Sequence, residues 1–481
     1  MDVHDGFIVV VSRECETCLV LEPVFGQLDG SGLDIVFVSQ DDPEFPATVD
    51  EVVDDRDLER SWRLDVETTP TAIRFDGGTP VERIEGWRRS EWERFFGVEG
   101  LGPDMPEYRP GCGSLTLLPG VPERLEARFG TGPSLASRRI EFGRDEDEHE
   151  AMFARGWTDG LPVVPPTLER VTARLAGTTR RPDEVIGLVP PDYRECTVEK
   201  AAVNSVMAGC MPEYLPVVLA AVEAYCSEPF DAHGVAATTW YSGPVVVVNG
   251  PIARRIGMND GLNAFGPGNR PNATIGRALN LVARNVGGAR PGEVDRSTQG
   301  HPSKYTMAFP EREHDSPWTS LAVERGVPEG TSAVTLFCGQ GPTPLADQKS
   351  RGPESLVRSL AAALRGVRHP KAVERVAALV AISPEHARIF GAAGWTKDRL
   401  RREIIELLTI PDSELVAGAG GMDEGLAREA TGESVPKFRD ENLWFVHVGG
   451  GAGGYTGIIS GWVTAPKGSE MVTVTIEEER G

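Results

Sequence analysis

The chain has 481 residues, about three times the commonest domain size, so two or three domains are expected. Apolar residues make up 40% and charged residues 25%, which excludes disorder as the dominant state. The 49 Lys and Arg against 72 Asp and Glu give a net charge of −23, which argues against nucleic acid and anionic membranes as partners.

The first hundred residues have the pattern of a compact α/β unit. The short apolar run at residues 7–12 reads as a strand and not as a signal peptide, and the seven cysteines are too sparse for a secreted scaffold. These features predict a cytoplasmic protein. Further elements are predicted as helices over 19–28 and 91–96 and strands over 33–39, 72–75 and 81–84. We therefore predict a first domain over residues 1–97.

A segment rich in Gly and Pro, residues 98–150, is predicted as a connector. Its acidic run, residues 145–150, is expected to face solvent at the start of a helix. Residues 151–481 then alternate apolar strands with amphipathic helices. The strands are predicted over 245–249, 334–338, 377–382 and 444–448, and the helices over 198–207, 214–225, 274–285, 353–364 and 397–408. This alternation predicts a large α/β domain with a mostly parallel or mixed sheet.

Two cysteines, Cys15 and Cys18, follow the first strand directly and open the first helix. The free N–H groups of a helix N-terminus favour a thiolate, and two cysteines on one turn can form and open a disulfide. We expect Cys15 to attack and Cys18 to resolve the mixed disulfide. The alternative is half of a structural zinc site, for which no second CxxC or HxxxH is present.

Residues 1–97 resemble the thioredoxin family through this CxxC and through Thr69-Pro70 before a strand. The resemblance implies a thioredoxin-like fold in which Pro70 is cis, lies against the CxxC and helps position a substrate disulfide. Two features depart from the family: Glu14 replaces the usual aromatic residue, and Glu16-Thr17 replaces Gly-Pro. Carboxylates at Glu14 and Glu16 are expected to raise the pKa of Cys15, which favours a reductant over a strong oxidant.

Other cysteines are candidates for redox chemistry. Cys210 lies in a sharp turn between two predicted helices, where a helix N-terminus would stabilise its thiolate. Cys112 lies in an exposed-looking Gly-Pro turn, and Cys338 ends a buried strand, where α/β sheets place their ligands. Cys196 and Cys226 are weaker candidates, because Cys196 precedes an N-cap at Thr197 and Cys226 closes an apolar helix face. For each of them a buried structural thiol is the alternative.

Polar residues at strand ends and helix starts predict a site for an anionic substrate. Asn249 ends a buried strand, Asn272 is a predicted N-cap, and Arg270 with Arg277 could clamp a carboxylate. The loop containing Gly450, Gly451 and Gly453 follows another strand and fits backbone for a tight pocket, without the lysine of a nucleotide loop.

Several His and Glu residues are candidates for acid–base or metal chemistry. His386 is predicted near the start of a helix, capped by Ser383, with an exposed helical histidine as the alternative. A loop-like stretch carries His301, Glu311, Glu313 and His314 at spacings that fit no metal signature. The sequence therefore requires no cofactor and leaves metal binding open.

The segment from Gly156-Trp157 through Cys210-Met211-Pro212 to Asn249-Gly250-Pro251 resembles a poorly characterised bacterial family. Members of that family occur beside small thiol or selenol proteins bearing a UGSC or CGSC motif. The resemblance covers about residues 150–465 and implies redox chemistry of sulfur or selenium. This chain has no CGSC tetrapeptide.

The leading hypothesis is a thiol-dependent redox enzyme. Its CxxC would recycle a catalytic cysteine, with Cys210 favoured, that handles a small anionic substrate. The expected partners are that substrate and a cellular dithiol reductant or small thiol or selenol protein, and homo-oligomer formation stays open. The alternative is a non-redox lyase or hydrolase that uses Glu and His residues, with the thioredoxin-like unit as a docking module. A redox sensor without turnover is a third option.

Overall fold

The computed structural model describes residues 5–130, 135–138, 140, 142–143, 146–418, 420, 431–464 and 468–477. The chain divides into two compact units, Met1–Ser134 and Leu135–Gly481, which we call the N-terminal unit and the C-terminal unit. Asp145 of the acidic run lies outside the described residues, and the run continues into a helix, Glu148–Ala154, that is capped by Asp147.

The N-terminal unit is built on a five-stranded sheet. The strands of the whole unit are β1 (Gly6–Val11), β2 (Ile35–Ser39), β3 (Val52–Asp54), β4 (Thr68–Thr69), β5 (Thr71–Asp76), β6 (Thr79–Glu85), β7 (Trp87–Arg88), β8 (Tyr108–Arg109) and β9 (Cys112–Gly113). Its helices are α1 (Glu16–Asp29), α2 (Glu59–Arg63), α3 (Arg89–Phe96) and α4 (Val121–Phe129). The sheet order is β3-β2-β1-β5-β6, with β1–β2 and β2–β3 parallel and the other pairs antiparallel.

Strand β1 lies in the middle of this sheet and is covered on both faces. Val9 and Val11 pack with buried side chains of α1 and α3, whereas Ile8 and Val10 pack into a separate cluster on the other face. This double burial explains why the strand is a continuous apolar run and not an alternating one. The packing on both faces also fixes the position of the end of β1 and therefore of the start of α1.

The segment predicted as a connector contributes two strands to the N-terminal unit. Strand β8 pairs with β7, and β9 pairs with β4, both antiparallel. Leu101 is buried, and the Trp87 indole donates a hydrogen bond to the Pro106 carbonyl at 2.6 Å. The chain beyond α3 therefore returns across the unit to the edge formed by β4.

The C-terminal unit contains the remaining elements. Its strands are β10 (Val185–Val189), β11 (Arg194–Thr197), β12 (Gly243–Asn249), β13 (Ala308–Pro310), β14 (Ala333–Gly339), β15 (Thr343–Ala346), β16 (Val376–Ile382), β17 (Thr409–Pro411), β18 (Ser434–Pro436), β19 (Leu443–His447), β20 (Tyr455–Val463) and β21 (Val472–Thr475). Its helices are α5 (Glu148–Ala154), α6 (Leu168–Leu175), α7 (Val198–Ala208), α8 (Leu215–Cys226), α9 (Ala232–Ala237), α10 (Pro251–Arg255), α11 (Arg270–Asn285), α12 (Leu321–Glu324), α13 (Pro353–Arg365), α14 (Pro384–Ala392), α15 (Lys397–Leu407) and α16 (Asp412–Val416).

The large sheet of this unit is mixed. Its order is β13-β12-β14-β20-β16-β19, with β21 on β14 and β15 on β20. The β12–β13 and β16–β19 pairs are parallel, and the other pairs are antiparallel. The prediction of an α/β fold with a mostly parallel or mixed sheet is therefore confirmed in its mixed form.

The sheet has two halves that share an apolar core. They are joined by one residue pair, Gly339 and Gly461, where a Cβ on Gly461 would lie 2.8 Å from the Phe337 ring. Inward side chains from both halves, including Val247 and Leu379, form one cluster. The outward side chains pack in separate clusters, those of β12 and β14 with α7, α8 and α11, and those of β16 with α13, α14 and α15.

Candidate redox site

The two cysteines of the CxxC lie on the first turn of α1. Cys15 is the N-cap residue, and its sulfur accepts a hydrogen bond from the Cys18 backbone N–H at 3.3 Å. The preceding loop is held by Asp41, whose carboxylate accepts hydrogen bonds from the backbone N–H groups of Arg13 and Glu14. Both cysteines are almost fully buried, at 2% and 0% exposure.

The edge beside Cys15 is formed by Thr69 and Pro70. The peptide bond between them is cis, as the resemblance implies, and the Cys15 sulfur lies 3.2 Å from the Thr69 carbonyl oxygen. Thr69 is paired with Cys112 in the short β4–β9 ribbon. The structure therefore brings three of the predicted site cysteines, Cys15, Cys18 and Cys112, to one place.

Residues 110–113 pack against the first turn of α1 and against β4, with the Cys112 thiol hydrogen-bonded to Cys15, and we call them the cover segment. The Thr17 hydroxyl donates to the Pro110 carbonyl at 2.7 Å, which ties this segment to α1. Gly111 lies so close to β4 that a Cβ there would be 2.1 Å from the Thr68 Cγ2 atom. The cover segment thus occupies the backbone edge beside the cis proline, and its Cys112 is only half-buried.

The three thiols have different acidities. Hydrogen bonds from the Cys18 thiol and, less strongly, from the Cys112 thiol lower the pKa of Cys15 to about 5, although burial opposes this shift. Burial raises the pKa of Cys18 well above its usual range, and burial also raises the pKa of Cys112. Cys15 is therefore a thiolate at neutral pH, flanked by two thiol donors.

The prediction that Glu14 and Glu16 raise the pKa of Cys15 is wrong. Both glutamates are exposed, so their charges act through water, whereas the two thiols contact the sulfur directly. A stabilised thiolate favours the reduced dithiol, which makes the corresponding disulfide a stronger oxidant. The expectation of a reductant, which rested on the two carboxylates, loses its basis.

The Cys15 pKa can be tested by titration of the thiolate absorbance near 240 nm. We expect a midpoint near pH 5 in the reduced wild-type chain. In Cys112→Ala the midpoint should rise by about one to two pH units, because one hydrogen bond to a charged sulfur is lost. An unchanged midpoint in that variant would show that Cys112 does not donate to Cys15.

The cysteines of the C-terminal unit have the properties of thiols in a core. Burial raises the pKa of Cys210 to about 11 and those of Cys196, Cys226 and Cys338 to about 12. Cys210 is 0% exposed, and its thiol donates to the Thr274 carbonyl at 3.4 Å. Its predicted role as the substrate-handling cysteine stays a prediction, and this burial does not favour it.

The residues predicted to bind an anion are engaged with the protein. The Arg270 Nε donates to the Gly209 carbonyl at 2.9 Å, whereas Arg277 forms a bidentate pair with Asp159 at 2.8 Å for both contacts. The Asn249 amide donates to the carboxylates of Glu311 and Glu313.

Asn272 is not the N-cap of its helix. Helix α11 starts earlier, and Asn269 caps it by accepting from the Asn272 backbone N–H at 3.1 Å. The early start is allowed because Pro271 fits the first turn of a helix. The buried Asn272 amide instead donates to the carbonyls of Asn259 and Ala264, which holds that loop.

Several backbone groups of the glycine-rich loop between β19 and β20 form hydrogen bonds with other parts of the protein. The Gly449 N–H donates to the Asp260 carbonyl, and the Gly454 N–H donates to the Glu385 carboxylate. The side chain of Leu262 lies against Gly450, and the carbonyls of Gly451 and Gly453 accept from Arg388 and Gln348. Nothing in this geometry marks the loop as a ligand cradle.

Two of the histidine and glutamate candidates, His386 and Glu311, are hydrogen-bonded within the fold. His386 is buried, and its ring nitrogens contact the Thr456 hydroxyl at 2.8 Å and the Asp347 carbonyl at 3.0 Å. Glu311 is also buried and accepts from the Leu321 backbone N–H at 2.6 Å. Across the part of the chain that the structure describes, no cluster of three His, Cys, Asp or Glu side chains could hold a metal ion.

Comparison with known proteins supports the N-terminal assignment. The chain is similar to thioredoxin H2-1 of Oryza sativa subsp. japonica, with 35% identity over 80 residues, which are 17% of this chain and 49% of the rice protein. The chain thus spans about half the length of the curated relative that it matches. No protein-family model matches, and neither does any solved structure.

The fold and this similarity show a thioredoxin-like domain, of the thiol redox type, in the N-terminal unit. Within the described ranges, no helix combines the length and the apolar character that a membrane span needs. The sequence alone did not reveal that Cys112 meets Cys15, because their contact depends on how the chain returns after α3. Gly111 was the available signal, since a residue without a side chain permits close approach of two backbones.

Proposed function

We propose that the N-terminal unit is a thiol–disulfide oxidoreductase with three participating cysteines. The observation that carries this proposal is the convergence of the Cys18 and Cys112 thiols on Cys15, which lowers the pKa of Cys15 to about 5. A nucleophilic thiolate beside a protonated resolving thiol is the arrangement that disulfide exchange requires.

The first exchange follows from these acidities. The Cys15 thiolate attacks one sulfur of a substrate disulfide, forms a mixed disulfide and releases the other sulfur as a thiolate. Cys18 then loses its proton and attacks the Cys15 sulfur, which releases the second substrate thiolate and leaves a Cys15–Cys18 disulfide. The substrate disulfide gains two electrons, and the dithiol loses two. Because the stabilised Cys15 thiolate disfavours this oxidation, the external dithiol that restores the reduced pair has to drive the cycle.

Cys112 is the more exposed cysteine through which an external thiol could reduce this buried disulfide. Its thiol can lose its proton and attack the Cys15 sulfur of the Cys15–Cys18 disulfide, which forms a Cys15–Cys112 disulfide and releases Cys18; because the pKa of Cys18 is raised, Cys18 takes up a proton as it leaves. This step changes no overall oxidation state. It moves the disulfide from a fully buried pair to one that includes the half-buried Cys112, where a cellular dithiol or a small thiol or selenol protein could reduce it.

The proposal includes a target reaction in the C-terminal unit. A small, anionic substrate handled by a cysteine there, with Cys210 favoured, would receive its electrons from this dithiol. Because Cys210 is buried and its thiol is protonated at neutral pH, that step needs a conformation in which the Thr274 contact is opened. A cytoplasmic setting fits this scheme, since a reducing compartment keeps the three thiols available.

The non-redox alternative has less support. It requires Glu or His side chains that are free to act on a substrate, but His386 and Glu311 are buried and hydrogen-bonded within the fold. The loop histidine His301 differs from these two residues, because it lines a pocket.

The proposed exchange is tested by the reduction of oxidised glutathione by dithiothreitol in the presence of the full chain at pH 6. Ordinary thiols with a pKa near 8.5 are less than about 1% ionised at this pH, so the background reaction is slow. Cys15 is mostly a thiolate there, and the wild-type chain should accelerate the reaction in proportion to its concentration. A chain that leaves the background rate unchanged would contradict the proposal.

A further inference from the structure

The C-terminal unit contains a pocket of about 580 Å³ that holds none of the predicted substrate-binding residues. It lies among the ends of α8 and α11, the start of β12 and the loop that follows α11. Its lining includes Tyr225, Ser242, Arg284, Asp295, His301 and Lys304. A volume of this size suits a small organic molecule.

One arginine of the lining, Arg284, has no ion-pair partner in the described part of the chain, and neither has Arg290, which lies next to lining residues in the sequence. Within the described residues, the side chains of Arg284 and Arg290 make no hydrogen bond and no ion pair, and the Nε atom of each is buried without a partner. Burial and the charge of Arg290 lower the pKa of Arg284, whereas the charges of Asp159 and Glu293 raise it. A buried guanidinium N–H that lacks an acceptor is costly, so an acceptor from outside the protein is expected.

The other charges of the pocket cancel one another. Lys304 forms an ion pair with Asp295 at 2.6 Å and also donates to the Ser297 hydroxyl. Asp159 is held by both guanidinium N–H groups of Arg277. The guanidinium of Arg284, which has no ion-pair partner among the described residues, is therefore the group of the lining that is available to an anion, in a chain whose net charge is −23.

His301 supplies the second unpartnered group. Both of its ring nitrogens are buried without a well-aligned hydrogen-bond partner, although the Tyr241 backbone lies nearby. Burial and the charge of Lys304 lower the pKa of His301 to about 4, so the ring is neutral at physiological pH. A neutral ring offers one donor and one acceptor to an uncharged polar group.

We propose that this pocket binds a small organic anion, whose carboxylate or phosphate group pairs with Arg284 and whose uncharged polar part hydrogen-bonds to His301. The planar fork of a guanidinium matches both anionic groups. The two anion types are distinguished by experiment. This inference does not depend on the thiol exchange of the N-terminal unit.

The test is isothermal titration of the full chain with lactate, which carries a carboxylate and a hydroxyl, and, separately, with glycerol 3-phosphate, which carries a phosphate and two hydroxyls. At least one probe should bind at millimolar concentration, and Arg284→Ala should weaken that binding about tenfold or more. His301→Ala should weaken it about three- to tenfold, as expected for one neutral hydrogen bond. The stronger probe identifies the anionic group.

The matched control is Arg402→Ala, which removes an exposed arginine of α15 that does not line the pocket. Its affinity for the probe should equal that of the wild type. Arg284→Lys tests the same site without loss of charge and should bind with intermediate affinity. The inference is overturned if neither probe binds, or if folded Arg284→Ala and Arg284→Lys bind as tightly as Arg402→Ala.

Discussion

Replacement of Cys15 by serine should lower the rate of glutathione reduction by about a thousandfold or more, that is, to the background rate. The reason is that Cys15 is the one cysteine among those described whose pKa is lowered below neutral pH. A serine hydroxyl at the same N-cap position is not ionised at pH 6 and cannot form a disulfide. The measurement is the initial rate with dithiothreitol and oxidised glutathione.

Two further variants make this result specific. Cys226→Ser removes a half-buried cysteine of the C-terminal unit and should leave the rate unchanged. Cys18→Ser should retain the first attack by Cys15, so that glutathione is released once while turnover slows. If Cys15→Ser turned over as fast as Cys226→Ser, Cys15 would not be the nucleophile.

Replacement of Gly111 by alanine should expose the Cys15 sulfur. The new Cβ would lie 2.1 Å from the Thr68 Cγ2 atom and 3.0 Å from the Thr69 carbonyl oxygen, so the cover segment would have to move off β4. Overpacking of this kind costs about 1–3 kcal/mol, which corresponds to about a 5- to 150-fold larger population of the open form. The alkylation rate of Cys15 by iodoacetamide at pH 8 should rise by that factor.

The control is Gly113→Ala, two residues away in the same segment. A Cβ on Gly113 meets no heavy atom within 4 Å, so the segment can stay in place and the alkylation rate should stay that of the wild type. Peptide mass spectrometry identifies the alkylated cysteine. Equal rates in the two variants would mean that the cover segment does not limit access to Cys15.

The sequence predicted most accurately those strands and helices that have a clear apolar pattern. Strand β16, Val376–Ile382, is an unbroken apolar run, and helix α13, Pro353–Arg365, has a clear amphipathic period; both were predicted within one residue at each end. Strand β20, Tyr455–Val463, was not predicted, because Gly457 and Gly461 lower its strand character. Gly461 is required because the Phe337 ring and Ala377 would lie within 2.9 Å of a Cβ there, whereas a Cβ on Gly457 would make ordinary contacts at 3.5 Å or more.

The sequence predicted the part of the redox site whose residues are close together in the chain. Cys15 and Cys18 are three residues apart, so their pattern alone indicated the exchange site. The contact of Cys112 with Cys15 depends on the pairing of Thr69 with Cys112, which lies 43 positions further along the chain; Gly111 indicates a close approach there but not the strand that is approached. The pocket at Arg284 and His301 was missed for the same reason, since its lining comes from several separate elements.

The most direct test of the proposed disulfide exchange between Cys15 and Cys112 is the location of the disulfide formed in Cys18→Ser. Treatment of this variant with oxidised glutathione first places glutathione on Cys15; attack by the Cys112 thiolate then releases it and leaves a Cys15–Cys112 disulfide. We expect proteolysis and mass spectrometry to show the peptides of Cys15 and Cys112 joined in one species. A chain in which Cys15 keeps its glutathione while Cys112 remains a free thiol would contradict the three-cysteine account.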